Sequence, residues 1–230
     1  MRPMAMLNTY RASISAVSPL WLGCALAALC FASPLGIFEK DTSVSLGQFA
    51  GHADFNPSTG EYSVMGAGGE IGGKADGFQY LWKRVTGDVT VNANVRFAGT
   101  GSTDRSQAAL MIRQSLDPDA AYAAAVIYGD GRSTAQYRVD RGASSRSADF
   151  PAYANMAGVV HLFIRRHGDS FTISVGRVGK SGGAIPDSTP VTVSMNGPVF
   201  VGLALSSPSD SKRQVAAVFS TVLVQGPTVE

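Results

Sequence analysis

Residues 89–97 read Val-Thr-Val-Asn-Ala-Asn-Val-Arg-Phe, and no other stretch constrains the fold as tightly. Val89, Val91, Ala93, Val95 and Phe97 alternate with Thr90, Asn92, Asn94 and Arg96. A period of two puts the apolar side chains on one face of a β-strand and the polar ones on the other. Further on, Asp130-Gly131 separates two strand-like runs, 125–128 and 132–138. That dipeptide suits a tight hairpin because it tolerates positive φ. The middle of the chain is therefore an antiparallel sheet with one dry face.

The same reading extends in both directions. Val159–Arg166 and Phe171–Val175 flank His167-Gly168-Asp169-Ser170, a second hairpin, and Val199–Leu205 and Val215–Val224 close the chain as strands. The last run is apolar on both faces, as expected of a strand covered on both sides. Seven glycines fall from Gly60 to Gly77, both ends included. Such density implies tight turns or backbone pressed against a neighbour. A phosphate loop would need a following helix and a Lys-Ser or Lys-Thr ending, and both are missing here. Residues 140–157 and 179–190 read as polar loops. About ten strands and no amphipathic helix predict an all-β, two-sheet antiparallel sandwich of the jelly-roll kind.

Composition sets the surroundings. Residues 1–32 contain Arg2 and Arg11, no acid, and an apolar run from Leu20 to Ala32, the pattern of a signal peptide with Cys30 and Ala32 before a cut at Ser33. The alternatives are an uncleaved anchor, against which Ser13, Ser15, Ser18 and Pro19 interrupt the run, and a lipoprotein signal around Cys24. The expected organisation is a leader over 1–32, a linker over 33–48, one domain over 49–225 and a tail over 226–230. The expected location is secreted or periplasmic, with membrane contact only through an uncleaved leader. Without the leader, 17 basic residues balance 17 acidic ones, so the net charge of +2 belongs to the leader. A neutral domain with no basic stripe argues against nucleic acid as partner. Both cysteines, Cys24 and Cys30, also lie in the leader, leaving the domain without disulfide or thiolate chemistry.

Several short motifs recur in order: Gly66-Ala67-Gly68, Asp76-Gly77-Phe78, Tyr80-Leu81-Trp82, Gly87-Asp88, Met111-Ile112-Arg113-Gln114-Ser115-Leu116, Gly129-Asp130-Gly131 and Gln136-Tyr137-Arg138. His161–Arg165 and Val201-Gly202-Leu203 follow. In this order and spacing the chain resembles a concanavalin A-like family of domains of unknown function, one branch of which is called "regulation of enolase". The resemblance spans about residues 49–225. It departs at Gly72, where many relatives carry Trp, at Gly77 in place of an acid, and at Tyr128 in place of His. It implies a concanavalin A-like sandwich with a concave sheet, but such folds serve lectins, glycosidases and adhesive modules alike.

For chemistry, the residues offer a platform rather than a catalyst. An aromatic ring gives a sugar an apolar stacking surface, while Arg and Gln donate to its hydroxyls. Tyr80, Trp82, Arg113, Tyr128, Asp130, Gln136 and Arg138 are the candidate ligand-binding residues, facing a carbohydrate or cell-envelope polymer. The competing reading puts Tyr80 and Trp82 in the core between the sheets and pairs the arginines with Asp88 or Asp140. Asp130 also has a sufficient role in its turn. A glycosidase or lyase would need two carboxylates at a set separation. Asp117-Pro118-Asp119 has acid-x-acid spacing, but its proline marks a turn. A hydrolase or lyase would thus need acids from separate strands, and a third alternative is a protein-interaction module without a small ligand. His52, His161 and His167 are too scattered for a local metal motif, and His161 reads as a structural histidine. No cofactor is expected.

Overall fold

The computed structural model describes residues 35–44, 51–99, 102–150, 158–178, 190–207 and 214–227. The proposed leader, the residues on either side of its cut and most of loop 179–190 fall outside them. Two seven-stranded antiparallel sheets form the fold. The first, sheet A, runs β1 (Lys40–Val44), β4 (Phe78–Val85), β13 (Val199–Ser206), β6 (Gln107–Arg113), β7 (Tyr122–Tyr128), β8 (Ser133–Arg138) and β9 (Arg146–Asp149). Sheet B runs β12 (Val191–Thr192), β11 (Ser170–Arg177), β10 (Val160–His167), β5 (Val89–Ala98), β14 (Val215–Gln225), β3 (Glu61–Gly66) and β2 (His52–Asn56). The strands beyond the ten expected are mostly short and lie at or next to sheet edges.

The alternation in β5 sets sheet B against sheet A. Val89, Val91, Ala93 and Val95 are buried between the sheets, with Leu162, Ile164, Ile173 and Phe219 beside them and Leu81, Leu110, Ile112 and Leu203 opposite. Thr90, Asn92 and Asn94 face outward. Both expected hairpins form. Gly131 adopts φ +84° and Asp130 Oδ1 accepts from Arg132 N at 2.9 Å, while His167 pairs with Ser170 around Gly168.

Strand β14 corrects the sequence reading. Its outward residues are half-buried or exposed, so it is not covered on both sides. Instead its parity changes. Ala217 and Phe219 point inward, then a β-bulge between Ser220 and Leu223 turns Val222 and Val224 inward. Thr221, at φ +49°, is the extra residue. The bulge thus accounts for apolar residues at both odd and even positions.

Sheet A, by contrast, is dry on both faces. A second cluster of Phe78, Tyr80, Trp82, Met111, Tyr122, Ala124 and Val126 covers its outer side, joined by Ile71 from the glycine-rich segment. The segment folds over the sheet because two of its glycines meet. A Cβ at Gly69 would lie 2.3 Å from the Gly77 carbonyl oxygen.

Candidate functional site

The outer face of sheet A gathers six of the seven candidate residues. Strand register places Tyr80 and Trp82 on β4, Arg113 on β6, Tyr128 on β7, and Gln136 and Arg138 on β8 along one surface, with Asp130 in the turn beyond. Most of them are roofed over. Tyr80 is fully buried, its hydroxyl 3.0 Å from the carbonyls of Met111 and Phe200. Trp82 donates from Nε1 to Thr42 Oγ1 at 3.0 Å and meets Phe200 edge-on. These aromatics therefore fill neither the space between the sheets nor an open platform; they are the floor beneath the glycine-rich segment.

The two arginines hold that roof down. Asp76 is buried with Arg138 Nη2 at 2.7 Å from Oδ1, Arg138 Nη1 at 2.8 Å from Oδ2, and Arg113 Nη1 at 3.5 Å from Oδ2. Arg138 also donates to the carbonyls of Gly72 and Gly73 at 3.2 Å, Ala120 at 2.9 Å and Ala143 at 3.0 Å. Arg113 donates to Ser115 at 2.6 Å. The partner is Asp76, not Asp88 or Asp140 as the competing reading had it. Burial pushes the Asp76 carboxyl up, against the pull of Arg138 and Arg113. Sequence reasoning met Asp76 only within a motif, because its partners stand 37 and 62 residues away. Gln107 adds a clamp of its own. Its Oε1 accepts from Ile71 N at 2.8 Å and its Nε2 donates to the Ile71 carbonyl at 3.1 Å.

Beside this roof, over β7 to β9, polar atoms go unanswered. Gln136 Oε1 and Thr134 Oγ1 are buried and lack hydrogen-bond partners among the described residues, while the Tyr122 hydroxyl bonds Ser145. Buried polar groups are ordinarily paired, so such a cluster calls for a reason. Of these residues, Gln136 stands against the backbone of Gly72, where only a glycine leaves a gap. A Cβ there would lie 3.3 Å from Gln136 Nε2, 3.6 Å from Ser145 Oγ and 3.8 Å from Glu70 Oε1. Ser147 and Asp149 on β9 share the face, in register with Gln136 and Thr134. Tyr128 lies on the Gln107 side, its ring capped by the Arg132 guanidinium at 4.5 Å.

The acids around the niche are engaged. Glu70 pairs with Arg105 at 3.2 Å, and Asp130 with Arg132 at 2.6 Å. Burial pushes the Asp130 carboxyl up, but hydrogen bonds from the Arg132 side chain and backbone outweigh it and hold it below the ordinary carboxylate range. Among the described residues no group of three or more His, Cys, Asp or Glu gathers as a metal site. His161 is half-buried with Nδ1 2.9 Å from Asn94 Oδ1, a structural role as expected.

No family model matches the chain, and no curated protein does. Solved structures do. A functionally unknown protein from Saccharomyces cerevisiae is 16% identical with a TM-score of 0.57, over 82% of this chain and all of that one. The carbohydrate-binding module CBM66 from Bacillus subtilis is 16% identical with a TM-score of 0.53, over 83% and 98%. Alginate lyase A1-II', of polysaccharide lyase family 7, is 12% identical with a TM-score of 0.51, over 77% and 84%. This chain has their fold. It is a jelly-roll sandwich, and at these identities the likeness carries no further.

Proposed function

We propose that this protein is an exported carbohydrate-binding module that holds a saccharide or cell-envelope polymer at the Gly72 niche on sheet A. The observation that carries the reading is the unanswered Gln136 Oε1 beside the gap that Gly72 leaves, with Thr134 Oγ1, also unanswered, two residues away on the same strand face. A ligand rich in hydroxyls both donates and accepts, which is what a mixed set of amide, hydroxyl and carboxylate groups requires. Tyr128 and Ser145 extend the contact surface on either side. The concanavalin A-like resemblance and the glycan-related names of two structural neighbours, CBM66 and the alginate lyase, support the same reading. Of the seven residues expected from sequence, Gln136 borders the proposed site, Tyr128 reaches the Gln107–Ile71 clamp next to it, and Asp130 stays in its turn with Arg132. Arg113, Arg138, Tyr80 and Trp82 would act on the ligand through the roof they hold.

Binding of the full chain to a panel of soluble polysaccharides, with reducing ends and unsaturated products followed in the same samples, tests the proposal. Gln136→Ala and Tyr128→Ala should each weaken retention about tenfold, the scale of a lost hydrogen bond or stacking contact. Retention unchanged in both variants overturns the site. Shortened products would instead make the protein a hydrolase or lyase. Amino-terminal sequencing of the exported protein, expected to begin at Ser33, tests the leader.

A further inference from the structure

On the opposite side of the sandwich, the outer face of sheet B carries a cleft of about 500 Å³ that the sheet A site does not use. Thr172, Arg165, Thr90 and Gln225 line it, standing in register across β11, β10, β5 and β14. Neighbouring strands are about 4.8 Å apart, so the four side chains form one polar row across the sheet. The bulge at Thr221 is what brings Gln225 to this face. In the next row lie Ser174, Phe163, Asn92 and Leu223, the last of them exposed.

Arg165 is the centre of the row, and no carboxylate of the described residues pairs with it. The cleft's one carboxylate, Asp88, has both oxygens occupied: Oδ2 lies 2.5 Å from His167 Nδ1, and Oδ1 accepts from Gly168 N at 2.8 Å. Asp169, in the adjoining turn, accepts from Ser194 Oγ at 3.0 Å and Met195 N at 3.3 Å. Arg166 next to it is buried, its guanidinium given to the carbonyls of Gly168, Gly87 and Met195. Among the described residues, Arg165 has no ion pair, and its planar fork matches a carboxylate.

We infer that this cleft is a second binding site, for an acidic saccharide whose carboxylate pairs with Arg165 while Thr90, Thr172 and Gln225 meet its hydroxyls. Phe163 and Leu223 supply apolar surface for a ring alongside. An acidic peptide fits less well. The cleft lies on the face of interior strands, β10 being paired on both sides, so no backbone edge is offered for strand addition.

Titration of the full chain with oligogalacturonate at low salt tests this site apart from the first. Arg165→Ala should lower affinity about tenfold or more, Arg165→Lys should recover only part of it, and Gln136→Ala should leave this increment intact. Binding should fade as salt is raised. A cleft that binds a neutral oligosaccharide of the same length equally, or an Arg165→Ala protein with wild-type affinity, overturns the assignment. Equal, Arg165-dependent binding of oligoglutamate would overturn the saccharide class. Loss through Gln136→Ala alone would return all binding to sheet A, whereas failure at Gln136 with a retained Arg165 effect would sink the first proposal and keep this one. Arg165 is exposed, so its variants should melt with the parent and a loss of binding cannot be mistaken for unfolding.

Discussion

The two outer faces of the sandwich are made of the same kind of strand yet have opposite fates. Sheet A's outer face carries Tyr80, Met111, Tyr122, Ala124 and Val126, and a glycine-rich segment closes over it. Sheet B's carries Thr90, Asn92, Asn94 and His161, half-buried, and Arg165, exposed, with no apolar cluster of the described residues over them. The contrast shows where the chain invests its buried charge. On sheet A, Arg113, Asp76 and Arg138 are sealed and serve to hold backbone in place; on sheet B, Arg165 is left in water and can serve a ligand. A buried ion pair costs desolvation that good geometry must offset. An exposed arginine carries little such cost and contributes little to stability.

Breaking the sealed side should therefore give the largest effect. Asp76→Ala strands two buried guanidiniums and should cost about 3–5 kcal/mol in urea unfolding, against a change within about 0.5 kcal/mol for Arg165→Ala. Comparable losses for the two would erase the distinction between the faces. A smaller effect is expected at the fold of the roof. Gly69 has φ +71° and no room for a methyl group, so Gly69→Ala should cost about 1–3 kcal/mol and loosen hydrogen-exchange protection at Ile71 before that of β5. The smallest lies on sheet B, where burial holds the His161 imidazole below its ordinary value near 6.5. Its neutral form is favoured in the folded state, so the unfolded chain takes up a proton the folded one resists. Stability should be full above about pH 6.5 and should decline as pH falls through the folded value. An NMR titration in which His161 protonates above about pH 6.5 would contradict that sign.

Legibility in the sequence follows the range of the interactions. Strand β5 and both hairpins are readable because alternation and turn chemistry are local, whereas β6 and β7, expected in a sheet with one dry face, are buried on both. Parity along each strand groups Tyr80 with Trp82 and Gln136 with Arg138. What parity could not supply was the cover. Asp76 meets Arg138 across 62 residues, and Gln107 grips Ile71 across 36. No local pattern announces such pairings. The glycine density between 66 and 77 was the one visible trace of them, since close backbone approach demands it. The Gly72 niche was harder still, being defined by a missing side chain rather than a present one.

The bulge at Thr221 carries a consequence for how this chain can vary. A substitution in β14 changes one contact, but a further insertion beside Thr221 would turn Val222 and Val224 to solvent and Leu223 and Gln225 into the core, whereas deleting Thr221, the extra residue, would keep their faces. Added length in the strand is thus resisted more strictly than a change of composition. Insertions belong in the loops around it, where no downstream reading frame of inward and outward positions depends on the count.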